Sequence, residues 1–185
     1  MHAQIDVLIM KDLKEFEIPF LGLRLGKHYF NYQIDNKFFE YFQYDEFEKV
    51  DIKVELEFEK KNNMFNLEFK SSGKVQVNCD LTYEPFELDV NGNLPLIVKF
   101  GEEFNDDSDE ILIIPQNSYQ LDVSQLIYEM IVLSIPIKKV HPGIEDGTLD
   151  SGMLKKLKEF TDKEQKESID PRWEKLKELQ SNKKR

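Results

Sequence analysis

Cys79, His2, His28 and His141 are the side chains in this sequence best suited to nucleophilic or metal chemistry. No sequence-local constellation of Ser, Cys or Asp accompanies them to pair a nucleophile with a base. A Gly-rich phosphate loop, G-x-S-x-G and H-E-x-x-H are all absent. The 36 Asp and Glu either alternate with apolar residues or gather in loops, and no two are singled out in an apolar setting. The pattern therefore predicts no catalytic residue and no enzyme. Cys79 shares the phase of Val75 and Val77, which makes it a small buried hydrophobe. A metal there would have to enlist His141, Glu145 or Asp146, and one thiolate plus one imidazole is half a structural zinc site. No metal and no cofactor is expected.

Those residues hang on a framework read from periodicity. Val50, Ile52, Val54, Leu56 and Phe58 alternate with Asp51, Lys53, Glu55, Glu57 and Glu59, a strand with one face in a core and the other in water. Residues 60–63, KKNN, read as a hairpin turn with two Asn able to take left-handed geometry, and Phe65, Leu67 and Phe69 return. Ser71-Ser72-Gly73 breaks the pattern before Val75, Val77 and Cys79 resume it. Phe86, Leu88 and Val90 lead to a turn at Asn91-Gly92-Asn93, with Leu96, Val98 and Phe100 beyond. Upstream, Phe16, Ile18 and Phe20 alternate, Tyr29–Ile34 reads as a strand, and Asn36–Tyr44 as a short buried helix.

Beyond Gly101, GEEFNDDSDE reads as a solvated loop without the spacing of a calcium site. Ile111–Ile114 is a strand, and Asp122 with Gln125 offers a capping box for a helix through Val123, Leu126, Ile127, Met130 and Ile131. Residues 138–152, with three Gly and one Pro, read as a linker. The fold class expected is α+β: an antiparallel meander or partly closed barrel-like sheet, one packed helix and a helical C-terminal extension. Two regions follow, an acidic β-rich domain over 1–140 and a linker with a basic helical tail over 141–185.

Charge divides the chain the same way. Residues 1–150 hold 14 Lys and Arg against 29 Asp and Glu, whereas residues 151–185 hold 11 against 7. An acidic body disfavours nucleic acid and anionic lipid, while the tail is the part suited to phosphates. Its candidate partner-binding residues are Asp170 and Pro171, a helix start, then Arg172, Trp173 and Leu176, and the terminal Lys183, Lys184 and Arg185. A single cysteine excludes an internal disulfide, the longest apolar runs are too short to cross a bilayer, and the N-terminus lacks a signal-peptide pattern. A cytoplasmic protein without membrane contact is expected.

Three stretches occur in a telling order: Gly73 through Cys79 and Asp80 to Phe86; Leu121-Asp122-Val123 through Pro136 to His141; and Asp170-Pro171-Arg172-Trp173 before a basic end. Over residues 73–185 the chain thereby resembles the YceD-like family, the large ribosomal RNA subunit accumulation proteins of bacteria and plastids. The resemblance implies a non-enzymatic role in keeping 23S ribosomal RNA at normal levels, through its synthesis, processing or stability. Implied partners are large-subunit ribosomal proteins or assembly factors, with ribosomal RNA at the tail. An acidic adaptor unrelated to RNA is the alternative. Many relatives carry C-x-R-C at the first stretch and further Cys near the His, a set that looks zinc-binding. Here Leu81 stands at the Arg position, Thr82 at the second Cys position, and no Cys follows His141. The family-motif residues Gly73, Cys79, Asp80, Pro136 and His141 are thus expected to hold a corner by packing and hydrogen bonds, without metal.

Overall fold

The computed structural model describes residues 13–108 and 110–149, with residues 152, 155 and 156. It divides into two compact units. One comprises the chain up to Val77 with Pro85–Lys139, and the other comprises Asn78–Glu84 with the chain from Val140 onward.

The first unit is built on a mixed six-stranded sheet. Its strands are β2 (Gly26–Ile34), β3 (Lys49–Lys60), β4 (Met64–Asn78), β5 (Pro85–Gly101), β6 (Asn105–Ser108) and β7 (Ile111–Pro115), in the order β2-β3-β4-β5-β7-β6. Two short strands, β1 (Glu17–Ile18) and β8 (Leu121–Asp122), pair separately. The alternation of β3 is realised: Val50, Ile52, Val54, Leu56 and Phe58 are buried, while Asp51, Lys53, Glu55 and Glu57 face water. Each such large apolar side chain contributes about 1.5–3 kcal/mol on burial. Helices α1 (Asn36–Tyr41) and α2 (Ser124–Leu133) complete the unit, and α2 packs against β5 through a face that buries Ile127, Met130 and Ile131.

Several features depart from the periodic reading. The sheet is not purely antiparallel, because β7 runs parallel to β5, with Ile97 opposite Ile111 and Gly101 opposite Pro115. Nor does it close into a barrel among the described residues: β2 and β6 are its edges. The acidic stretch is not all loop, since Asn105–Ser108 pairs with β7 as that edge strand. Pairing needs only main-chain groups, and an edge strand leaves its carboxylates in water.

Asn91-Gly92-Asn93 does not turn, because β5 runs straight through it. Gly92 is there for clearance: a Cβ would stand 2.5 Å from Ser134 Oγ and 2.7 Å from Ser71 Oγ. Ser71-Ser72-Gly73 likewise leaves β4 unbroken and in phase, with Ser71 buried in line with Phe69. The hairpin at residues 60–63 forms, Lys60 opposite Phe65, without positive φ at either Asn. No capping box closes α2. Asp122 Oδ1 accepts from the Ser124 N–H at 2.9 Å, but Gln125 donates to Glu129 instead.

Aromatic residues join α1 to α2. Phe42 stacks on Tyr128 with centroids 4.3 Å apart, and Phe39 meets Tyr44, Phe47 and Tyr128. Burial, followed by the nearby Glu46 carboxylate, pushes the Tyr44 phenol up to about 12, and burial raises the Tyr32 phenol further. A phenol whose folded value lies above its unfolded one holds its proton more tightly in the native state. Its stabilisation is complete below the ordinary value of 10.0 and is lost as pH rises through about 12. Urea midpoints measured between those limits are expected to fall with pH, and to fall less in a Tyr32→Phe, Tyr44→Phe double variant.

Candidate functional site

Of the family-motif residues, Cys79, Asp80 and His141 belong to the second unit, whose first segment is the link between β4 and β5. The intervening corner, residues 79–84, is closed twice by its own backbone. The Cys79 N–H donates to the Glu84 carbonyl at 2.9 Å, and the Tyr83 N–H donates to the Cys79 carbonyl at 2.9 Å. Tyr83 takes a φ of 61°, left-handed geometry that a side chain with a Cβ adopts only where its surroundings enforce it.

Cys79 is buried, at 1% exposure, and its sulfur is the hub of the corner. The His141 N–H reaches Sγ at 3.3 Å from a segment 62 residues further along the chain. Burial pushes the thiol up, yet hydrogen bonds from the Thr82 hydroxyl and from the main-chain N–H groups of His141, Leu81 and Thr82 outweigh it. The thiol is thereby held below its ordinary value. Such an environment favours sulfur carrying negative charge. A thiol so enclosed offers no surface to a substrate, and the arrangement ties two segments together.

His141 serves as the cap of a third helix, α3 (Pro142–Glu145), which lies inside the stretch expected to be linker. Its Nδ1 accepts from the Gly143 N–H at 2.9 Å, and Pro142 occupies the first helical position. Gly143 is buried against the imidazole, since a Cβ there would meet Nδ1 and Cε1 at 3.0 Å. The Leu149 N–H then returns to the Gly143 carbonyl at 2.9 Å. His141→Ala should cost about 1 kcal/mol through the lost cap, and His141→Asn should retain most of it. Hydrogen exchange at the Gly143 amide is the measurement, with acceleration expected in the Ala variant alone.

These residues do not fit a structural zinc site. The corner supplies one thiol, the second Cys position holds the Thr82 hydroxyl, and the His141 Nδ1 is engaged by Gly143. Among the described residues no three His, Cys, Asp or Glu side chains gather as a ligand set. Asp146 is exposed at the end of α3.

Cys79 and His141 are therefore brought together, with Asp80 exposed beside them. Gly73 and Pro136 lie in the other unit, Gly73 within β4 and Pro136 exposed beyond α2. The tail residues Asp170, Pro171, Arg172, Trp173, Leu176, Lys183, Lys184 and Arg185 lie outside the described residues. Thr82 and Leu81 contribute to the corner in a way that spacing alone did not assign to them. The signal available was the turn-length gap between Cys79 and Phe86.

The profile of one protein family, the large ribosomal RNA subunit accumulation protein YceD, matches residues 67–180. The chain belongs to the YceD family. The match covers more than half of the sequence and includes both the Cys79 corner and His141. The YceD name ties the family to accumulation of large-subunit ribosomal RNA. No curated protein and no solved structure matches the chain. Among the described residues, no helix of this YceD protein is long and apolar enough to cross a membrane.

Proposed function

We propose that this YceD protein is a non-enzymatic, cytoplasmic ribosome-biogenesis factor that supports accumulation of 23S ribosomal RNA by binding ribosomal proteins or the RNA itself. The single observation that carries the reading is the family match over residues 67–180. The chemistry of the corner is consistent with binding rather than turnover, because its one thiol is enclosed and donates its function to holding segments together. Charge favours a division of labour. The body, with 29 acidic against 14 basic residues over 1–150, suits basic proteins, and the 11 basic residues of 151–185 suit phosphates.

The test is a deletion strain in which 23S and 16S ribosomal RNA are quantified and precursor ends are mapped. A selective fall in 23S RNA is expected, together with salt-sensitive co-sedimentation of the protein with large-subunit precursors. An unchanged 23S level, with the protein remaining at the top of the gradient, would overturn the reading.

A further inference from the structure

The first unit carries an apolar groove of about 420 Å³ between α2 and the β6–β7 side of the sheet. Its floor includes Leu112, Ile114 and Met130, all buried. Its rim extends the apolar surface outward through Phe104 at 59% exposure and Leu133 at 83%. An enclosed small-molecule pocket does not need such a rim, whereas a polypeptide laid across the opening covers it.

The charge of the groove is one-sided. Asp106, Asp122 and Glu129 line it, and among the described residues no Lys or Arg does. The two carboxylates from the helical side are held in place, Asp122 by the Ser124 N–H at 2.9 Å and Glu129 by the Gln125 amide at 2.8 Å. Asp106, on the edge strand β6, also lines the groove. An apolar trough with anchored negative charge selects a ligand with the complementary pattern.

We propose that this groove docks a cationic amphipathic segment of another protein, with apolar side chains in the trough and Lys or Arg against Asp106, Asp122 and Glu129. The inference deepens the binding role proposed above and rests on it for the biological identity of the partner. Leu133 is the most informative position. Its exposure means that a charge placed there disturbs the docked segment without unfolding the chain.

The experiment uses the full chain and a fluorescein-labelled 16-residue peptide of Leu and Lys at helical amphipathic spacing. A Leu→Ser analogue keeps its charge, and a Lys→Glu analogue keeps its apolarity. Leu133→Glu and Phe104→Asp are each expected to weaken binding of the Leu/Lys peptide at least about tenfold, and Glu129→Lys to weaken it and flatten its salt dependence. Glu55→Lys, a charge change on the solvent face of β3, should leave it within about twofold. Both peptide analogues should bind far more weakly than the parent peptide.

Equal binding of the Leu→Ser analogue, or unaltered binding by Leu133→Glu and Phe104→Asp, overturns the proposal. So does a concentration-dependent dimer that Leu133→Glu dissolves, because the occupant is then a second copy. Trp173 is the only tryptophan. A red shift of its emission on Leu133→Glu, with no peptide present, would assign the groove to the chain's own tail and equally overturn the proposal. The two readings fail separately. Lost peptide selectivity leaves the 23S RNA phenotype standing, and an unchanged 23S level leaves peptide docking standing.

Discussion

Phe65→Ala is expected to lower the unfolding free energy by about 3–5 kcal/mol. Phe65 is 1% exposed and its ring lies 4.8 Å from Phe20, 4.9 Å from Phe58 and 5.3 Å from Phe100. Three strands and the segment ahead of β2 therefore lose contacts at once. The tilted and edge-on geometry of these rings adds to their simple burial, by about 0.5–1.5 kcal/mol per pair. Rigid neighbours of this size collapse poorly into the space left behind, which adds a cavity cost to the lost transfer energy. Phe65→Leu keeps most of the volume and should cost roughly half as much or less. Urea denaturation followed by far-UV circular dichroism separates the two, and similar losses for both would show that packing around Phe65 is not the determinant.

Gly73→Ala should destabilise the protein by about 3 kcal/mol, although it adds one methyl group. A Cβ at this position would stand 2.2 Å from the Asp51 carbonyl oxygen and 2.6 Å from the Ile52 Cα. Both are main-chain atoms of the paired strand β3, in which Ile52 lies opposite Gly73. No rotamer change can relieve that clash, so β3 and β4 must separate where both bury core side chains. For a chain of this size, such a loss corresponds to a fall in Tm of roughly 6–12 °C. Ser72→Ala, one residue away on the exposed face, should change Tm by little. A Gly73→Ala variant as stable as the parent would show that the strands are not held this closely. The same substitution bears on the family motif: Gly73 belongs there for strand clearance, in a different unit from Cys79 and His141.

The legible part of the protein was its local periodicity. The buried and solvated faces of β3, the hairpin at residues 60–63, the short aromatic helix and the apolar stripe of α2 all follow from side-chain alternation at 2.0 or 3.6 residues. Cys79 also followed from phase, since it continues the buried series of Val75 and Val77. Glycine was the recurring source of misreading. Gly92 and Gly73 resemble punctuation in a sequence, but both sit inside unbroken strands where another segment comes too close for a Cβ. That requirement is set by a neighbour remote in sequence and leaves no local signature. Phe104 and Leu133 were equally opaque, one within an acidic run and the other at the end of a helix, because an apolar rim exists only once β6, β7 and α2 are assembled.

The sequence by itself determined that this is a single-cysteine chain with an acidic body, a basic C-terminal segment, alternating strands and the ordered motifs of the YceD family. Composition and short-range periodicity suffice for each of these. Only the tertiary structure decided that β7 enters the sheet parallel to β5, that the acidic stretch supplies an edge strand, and that the Cys79 sulfur accepts an N–H from His141. These are long-range pairings. Their partners are chosen by chain geometry and by the need of buried main-chain groups for hydrogen bonds, which no local pattern of residues encodes.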